Sequence, residues 1–333
     1  MIDTISFNLD VNNKKIDLQG EIPNYLHQIT EHTTKTGDLF LRGYLHNPTS
    51  EVGYKHDLLF DVYRNNLILR KGSICKWYVD TNLSELKRGH LADCFDAIGE
   101  YLHIPILDAK VTRLDIGANI ALAGSFNSYI DSLGSCGRYK RLERSEQELK
   151  GVLYKQVNKE LCIYDKIAEI QQNILDLPPR QRTVFEDSKE TMLRYELRYT
   201  HRVAQQLKRT EILVSDLVDV DVWGSLLNNW VDTYKSIHKN NLLNLDNETM
   251  KASTLKEFDV IARLALVERC GGENVFYKQL KAMYKSGEIT RNNYNRIKSA
   301  MGSALQTKNK LVYTNDNITE LTQKIEEKKD KLL

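Results

Sequence analysis

Two short runs bracketed by apolar residues carry the groups needed to cut a phosphodiester through a tyrosyl-phosphate bond. They are Leu161-Cys162-Ile163-Tyr164-Asp165-Lys166 and Leu193-Arg194-Tyr195-Glu196-Leu197-Arg198. A phenol is a poor nucleophile at its ordinary pKa of about 10, so it needs a metal or a cationic neighbour to favour the phenolate. Lys166, two residues after Tyr164, shares a face with it if a strand continues through both. If a helix starts there instead, the two are neighbours with poorer alignment. A tyrosine packed on a sheet beside a solvated lysine is the plainer alternative, since the triplet is common.

Other strand-like runs place charges at alternate positions. In Thr112-Arg113-Leu114-Asp115-Ile116-Gly117, Arg113 and Asp115 share one face. Carboxylates are depleted in strands, so Asp115 is either a divalent-metal ligand or half of an ion pair. Arg194, Glu196 and Arg198 repeat the pattern, and three charges on one face cannot be buried unpaired. They line a wet cleft, bind a ligand or form a solvent-facing ladder. His46 closes the strand-like run Asp38–Leu45 and is a third candidate ligand, since imidazole also serves manganese. Basic residues gather at Arg138, Lys140, Arg141 and Arg144, and again at Arg198, Arg202, Lys208 and Arg209. Tyr139 and Tyr199 lie among them, an interleaving suited to stacking with single strands.

These groups need a scaffold, and the sequence supplies an ordinary one. The 333 residues are 41% hydrophobic and 28% charged with net charge +2, so a nucleic-acid face must come from local clustering. No apolar run approaches the roughly 20 residues that span a bilayer. Met1-Ile2-Asp3-Thr4-Ile5-Ser6-Phe7 lacks the basic start and apolar core of a signal peptide and reads as a strand. Five widely spaced cysteines without a C-x-x-C pair argue against a disulfide framework or structural zinc, and a reducing cytoplasm is expected.

Up to about residue 120 the chain reads mainly as strands, including a hairpin that turns at Arg64-Asn65-Asn66. Ser84 to Leu102 switches to a helical period, with Ser84 as its expected N-cap. Val111 to Ile120 returns to strand. A second, similar half is expected to follow, with strands at Val152-Leu153-Tyr154, Leu161–Tyr164 and Met192–Tyr199 and a helix from Ile167 to Leu177. Beyond residue 203 the signal is helical: Val214–Tyr234, Thr254–Cys270, Asn274–Lys285 and Thr290–Leu305. Gly287 and Thr290 read as C-cap and N-cap of the turn between the last two. The helix after that turn carries Arg291, Asn292, Asn293, Asn295, Arg296 and Lys298, a composition that fits either a groove-reading helix or the outer face of a helical hairpin. The terminal stripe Ile318, Leu321, Ile325 and Leu332 supports at most a small self-association helix, hence a homodimer.

Taken in order, the motifs resemble those of the gene II-type rolling-circle replication initiators of filamentous bacteriophages, and more distantly the plasmid rolling-circle initiators. The resemblance rests on Met1-Ile2-Asp3-Thr4, Gly43-Tyr44-Leu45-His46, Ser73-Ile74-Cys75-Lys76 with Asn82 after it, Thr112–Asp115, Ile163–Lys166 and Leu193–Arg198. It covers roughly residues 1 to 220. The change of period makes an α+β body over residues 1–210 and a helical DNA-binding or oligomerisation region over 211–333, and the resemblance implies that the body is an antiparallel-sheet nuclease like the HUH endonucleases (although there is no His-x-His pair). It further implies an enzyme that nicks one strand at an origin through a 5′-phosphotyrosine and later rejoins the displaced strand. Tyr164 would be the nucleophile and Lys166 its cation. Asp115, Glu196 and His46 would hold Mg²⁺ or Mn²⁺, and Arg113, Arg194, Arg198, Lys76, Arg138, Lys140 and Arg141 would contact DNA. Tyr154 is one candidate for the second nucleophile of circle closure, a second protomer or water being the others. The expected partners are single-stranded or supercoiled origin DNA, a host helicase and a polymerase in the bacterial cytoplasm, and no membrane. A non-catalytic origin-binding initiator or repressor stays open as the alternative, as does a conjugative relaxase.

Overall fold

Alternate residues of Ile2–Asp10 and Lys110–Leu122 are apolar, which lets these strands stand at the middle of a sheet with one buried face. The computed structural model describes residues 1–12, 16–144, 149–239, 254–311 and 316–333. Its strands are β1 (Ile2–Asp10), β2 (His27–Thr33), β3 (Leu39–Leu45), β4 (Leu58–Val62), β5 (Asn66–Lys71), β6 (Lys110–Leu122), β7 (Leu133–Cys136), β8 (Lys140–Arg144), β9 (Gly151–Lys155), β10 (Lys159–Asp165), β11 (Thr191–Tyr199) and β12 (Ile237–Lys239). The helices are α1 (Leu18–Glu21), α2 (Ile74–Val79), α3 (Arg88–Leu102), α4 (Phe126–Asp131), α5 (Lys166–Gln172), α6 (Pro179–Phe185), α7 (Val203–Gln206), α8 (Val220–Lys235), α9 (Leu255–Arg269), α10 (Glu273–Lys285), α11 (Arg291–Leu311) and α12 (Asp316–Leu332).

Ten strands form one antiparallel sheet in the order β2-β3-β4-β5-β1-β6-β11-β10-β9-β8. The order contains a repeat. β1 to β5 lie as 2-3-4-5-1, and β8 to β11 with β6 lie as 8-9-10-11-6, so the expected second half is present as the same topology used twice. The halves meet where Ile5 pairs with Leu114. Leu69 faces Phe7 in one half and Leu197 faces Ile116 in the other, which sets the two halves in matching register.

One face is apolar and covered. Ile5, Phe7, Leu114, Ile116, Ile163, Tyr195 and Leu197 join a single core with α2, α3, α8 and α12. Trp230 of α8 stacks on Tyr195 with centroids 4.9 Å apart, worth about 0.5–1.5 kcal/mol beyond its buried area. The stripe Ile318, Leu321, Ile325 and Leu332 belongs to this core, so the self-association expected of it is replaced by packing within the chain. Trp223 Nε1 donates to the Leu332 carbonyl at 2.8 Å and locks α12 onto α8. Between β12 and α12, helices α9 to α11 surround a small core of their own, built on Val267, Phe276, Leu280 and Met301. No described helix is long and apolar enough to cross a membrane.

Two helices begin later than their periodicity suggests. The helix expected from Ser84 starts at Arg88, because the preceding segment is drawn to the end of β1 and β6: Asn119 donates to the Asn82 and Leu83 carbonyls and to Glu85. The run from Val214 breaks at Asp219, whose carboxylate accepts from the Asp221 and Val222 amides and caps α8.

Candidate active site

Antiparallel register determines what shares the open face. Tyr164 stands opposite Arg194, which stands opposite Asn119; Cys162, Glu196 and Gly117 form the next row, and Glu160, Arg198 and Asp115 the third. The Tyr164 hydroxyl donates to Glu196 Oε1 at 3.2 Å. The same oxygen accepts Arg194 Nε at 2.6 Å, and Glu196 Oε2 accepts the Arg198 fork at 2.5 and 2.9 Å. Arg194 also donates to Asn119 Oδ1 at 3.0 Å and pairs with Asp3 at 3.2 Å. Arg194 is only 1% exposed, and this full set of acceptors is what allows a guanidinium to sit there. Gly117 makes the room: a Cβ there would lie 2.9 Å from Glu196 Cγ and 3.1 Å from an Arg194 nitrogen.

The charge states follow from burial and partners. Burial pushes the Tyr164 phenol well above its ordinary pKa, and the Glu196 charge adds to the shift. Burial also opposes ionisation of Glu196, but Arg194 and Arg198 outweigh it and hold that carboxyl at about 2. The resting pair is therefore a neutral phenol donating to a carboxylate.

Lys166 goes elsewhere. Asp165 ends β10 and caps α5 by accepting from the Ala168 amide at 3.0 Å, so the chain turns between Tyr164 and Lys166. The ammonium donates to Asn82 Oδ1 at 2.7 Å and to Glu169, not to Tyr164, the poorer alignment expected if a helix starts between the two. Burial lowers the Lys166 pKa to about 8. A cleft beside the face is lined by His56, Lys76, Asn82, Lys166, Glu169 and Asp176. Lys76 Nζ lies 3.7 Å from Glu169, so two lysines flank one carboxylate.

The three expected metal ligands do not converge: Asp115 and Glu196 meet through Arg198, and His46 lies apart. Asp115 accepts both Arg113 bonds, at 3.0 and 2.7 Å, while Glu196 is saturated by Arg194 and Arg198. His46 lies at the end of β3, four strand spacings or about 19 Å across the sheet from β6. There it bonds Asp57 at 2.9 Å, which also holds His27, and packs on Tyr54. Among the described residues no group of three His, Cys, Asp or Glu side chains could hold a metal ion. Arranged in this way, the donors do not fit a bound cation.

The basic cluster divides as well. Lys140 is on the open face beside Lys155, whereas Arg141 pairs with Tyr154 on the opposite face and Arg138 is exposed in the turn before β8. Tyr199 is fully buried and Tyr139 packs against the core, so neither offers a ring for stacking. Tyr154 is buried on the apolar side and donates to the Gly134 carbonyl at 2.7 Å, which removes it as a second nucleophile. Sequence reasoning misses Asp3, Asn119, Glu169 and Gly117, although each touches or shapes the site. Asp3 is a carboxylate within a strand, the same signal that singles out Asp115.

The family model for the N-terminal part of the phage gene II-type replication-associated protein matches residues 1–230, so the chain belongs to that family. No curated protein matches it significantly.

Proposed function

We propose that this member of the phage replication-associated protein family is a nicking and joining endonuclease in which Tyr164 attacks the scissile phosphate. The reading rests on one observation above the rest: the Tyr164 hydroxyl donates to a carboxylate that is itself clasped by two arginines. An incoming phosphodiester competes for those guanidinium groups, which are matched to phosphate as well as to carboxylate. As Arg194 and Arg198 turn toward phosphate, Glu196 loses the partners that hold its pKa at about 2 and becomes a better acceptor for the phenolic proton. The tyrosyl oxygen then bonds phosphorus as the bond to the 3′ oxygen breaks. The leaving oxygen takes a proton, for which Lys166 in the adjoining cleft, with a pKa of about 8, is the donor. Arg194 and Arg198 neutralise charge on the phosphoryl oxygens. The phosphotyrosine keeps the bond energy, so reversal rejoins the strand.

The helical unit α9 to α11 supplies duplex binding in this scheme. From Glu273 to Leu305 it carries six lysines and arginines against two glutamates. Arg291, Asn292, Asn293, Asn295, Arg296 and Lys298 are all exposed on α11.

The test is a denaturing gel after incubation with single-stranded origin DNA, with Mn²⁺ or with EDTA. A covalent adduct with wild type and none with Tyr164→Phe supports the reading, and the EDTA lane reads metal dependence. Tight specific binding without any adduct would favour the non-catalytic origin binder, a reading that the 6% exposure of Tyr164 favours.

A further inference from the structure

The repeated topology assigns every position of the catalytic half a counterpart in the other half. Because Leu69 and Leu197 correspond, Ile68 corresponds to Glu196, Arg70 to Arg198 and Ser6 to Asp115. One strand further out, Asp61 faces Ile68 as Cys162 faces Glu196, so Tyr63 takes the place of Tyr164. The first half therefore keeps a tyrosine and an arginine at these positions but replaces both acids, with Ile68 and Ser6. Ile68 and Ser6 cannot take a phenolic proton in the manner of Glu196, and Asp61, the carboxylate two residues before Tyr63, is held by Arg42 and Arg70.

What the first half has instead is binding chemistry. Arg42 and Arg70 both clasp the fully buried Asp61, at 2.7 and 2.6 Å, leaving one net positive charge on two partly exposed guanidinium groups. Beside them on the same face stands a rank of rings: Tyr63 stacks on Phe40 with centroids 4.9 Å apart, and Phe40 on His32 at 5.3 Å. The rank ends on β2, the edge strand of the sheet, where a further ring can continue the stack. Arg113, 40% exposed at its side chain, lies between this face and Arg198, so cationic groups continue across the sheet toward Tyr164.

We propose that the open face of the first half is a single-stranded DNA platform, with His32 and Tyr63, the ends of a rank whose middle ring Phe40 is buried between them, stacking bases and Arg42 and Arg70 contacting phosphates. The proposal rests on the nicking reading for the strand's other end. β3 and β10 are six strand spacings apart, about 29 Å, a span within the reach of single-strand sites of about 4–16 nucleotides. Stacking on rings with cations alongside tolerates any sequence, which suits a surface that must hold whatever flanks the cut.

The experiment measures fluorescence anisotropy with labelled oligothymidylates of about 8 and about 20 nucleotides. It uses the full chain carrying Tyr164→Phe so that no cleavage intervenes. His32→Ala, Arg42→Gln and Arg70→Gln are made singly, each leaving Asp61 at least one arginine, and thermal melting confirms the fold. The long strand should bind wild type more tightly than the short one. The ring variant should lose about fivefold or more on the long strand, and each arginine variant should lower its salt slope by about 0.7. Equal binding of the long strand by folded variants overturns the platform. Failure of the parent protein to bind either length overturns both the platform and the nicking reading.

Discussion

The Tyr164 hydroxyl and Glu196 Oε1 lie 3.2 Å apart on neighbouring strands, and the carboxylate is ionised while the phenol is not. Tyr164→Phe removes one hydrogen bond and leaves Glu196 with both arginines, so it should cost only about 1 kcal/mol of stability. The same change should abolish the covalent adduct. Melting curves and denaturing gels on one preparation read both quantities, and an adduct that survives would move the nucleophile away from Tyr164.

Lys166 gives the reaction a pH limb. Its folded pKa of about 8 lies below the ordinary lysine value of 10.5, so the ammonium is lost as pH rises through about 8. With Lys166 as proton donor, single-turnover adduct formation should fall across that range, and Lys166→Met should be slow and lack the limb. A rate that instead climbs through pH 8 would make the neutral amine a base for Tyr164. Burial disfavours the charged form, so stability on this account is fully present above pH 10.5 and declines as pH falls through about 8.

Glu196 has the opposite sign. Its folded pKa of about 2 lies below the ordinary 4.5, so its contribution is fully present above pH 4.5 and is lost as pH falls toward 2. Glu196→Gln leaves Arg194 buried with Asp3 as its one remaining carboxylate and should destabilise by about 3–5 kcal/mol. Chemical denaturation from pH 6 down to pH 2 should show the wild-type decline across that window, with a flatter profile for the variant. Equal stability of the two proteins at pH 6 would mean that Arg194 is not held by this pair.

Gly117→Ala asks whether the spacing matters. The added methyl would meet the Glu196 and Arg194 side chains inside ordinary contact distance, in a row that has no slack. The expected cost is about 1–3 kcal/mol, with a larger proportional loss of adduct because both charged groups shift. A variant as active as wild type would show that the site tolerates that shift.

Much of the site is legible in the sequence because strands encode their faces. Period-two alternation places Arg194, Glu196 and Arg198 together and Arg113 with Asp115, and the structure keeps both sets on one surface. Sequence does not supply anything that depends on which strands become neighbours. Asp3 and Arg194 are far apart in the chain and meet only because β1 stands two strands from β11. Lys166 is aimed elsewhere than strand spacing suggests because the strand ends one residue after Tyr164, and a helix cap redirects the next side chain. His46 has the character of a ligand by residue type alone, yet the sheet order sets it apart from the carboxylates. The terminal stripe on α12 reads as an outward face only because its partners, Trp223 and Tyr234, lie far back in the chain on α8.

The helical unit makes the last prediction. Thr290 caps α11 by accepting from the Asn293 amide, and Tyr294 packs on Tyr284, so the turn between α10 and α11 is fixed rather than a loose joint. A rigid helix whose first turns expose Arg291, Asn292, Asn293, Asn295 and Arg296 has the donors and forks that read base edges in a major groove. Reversing charge with Arg291→Glu and Lys298→Glu should weaken duplex binding at every sequence and lower the salt slope by about 0.9 for each phosphate no longer neutralised. Asn292→Ala with Asn295→Ala should instead relax discrimination between origin and random duplex while leaving that slope in place. Both sets lie outside the small core around Phe276 and Met301, so the fold should hold. Unchanged duplex binding in the charge-reversal variant would return α11 to the role of a solvated hairpin face and leave DNA recognition to the sheet.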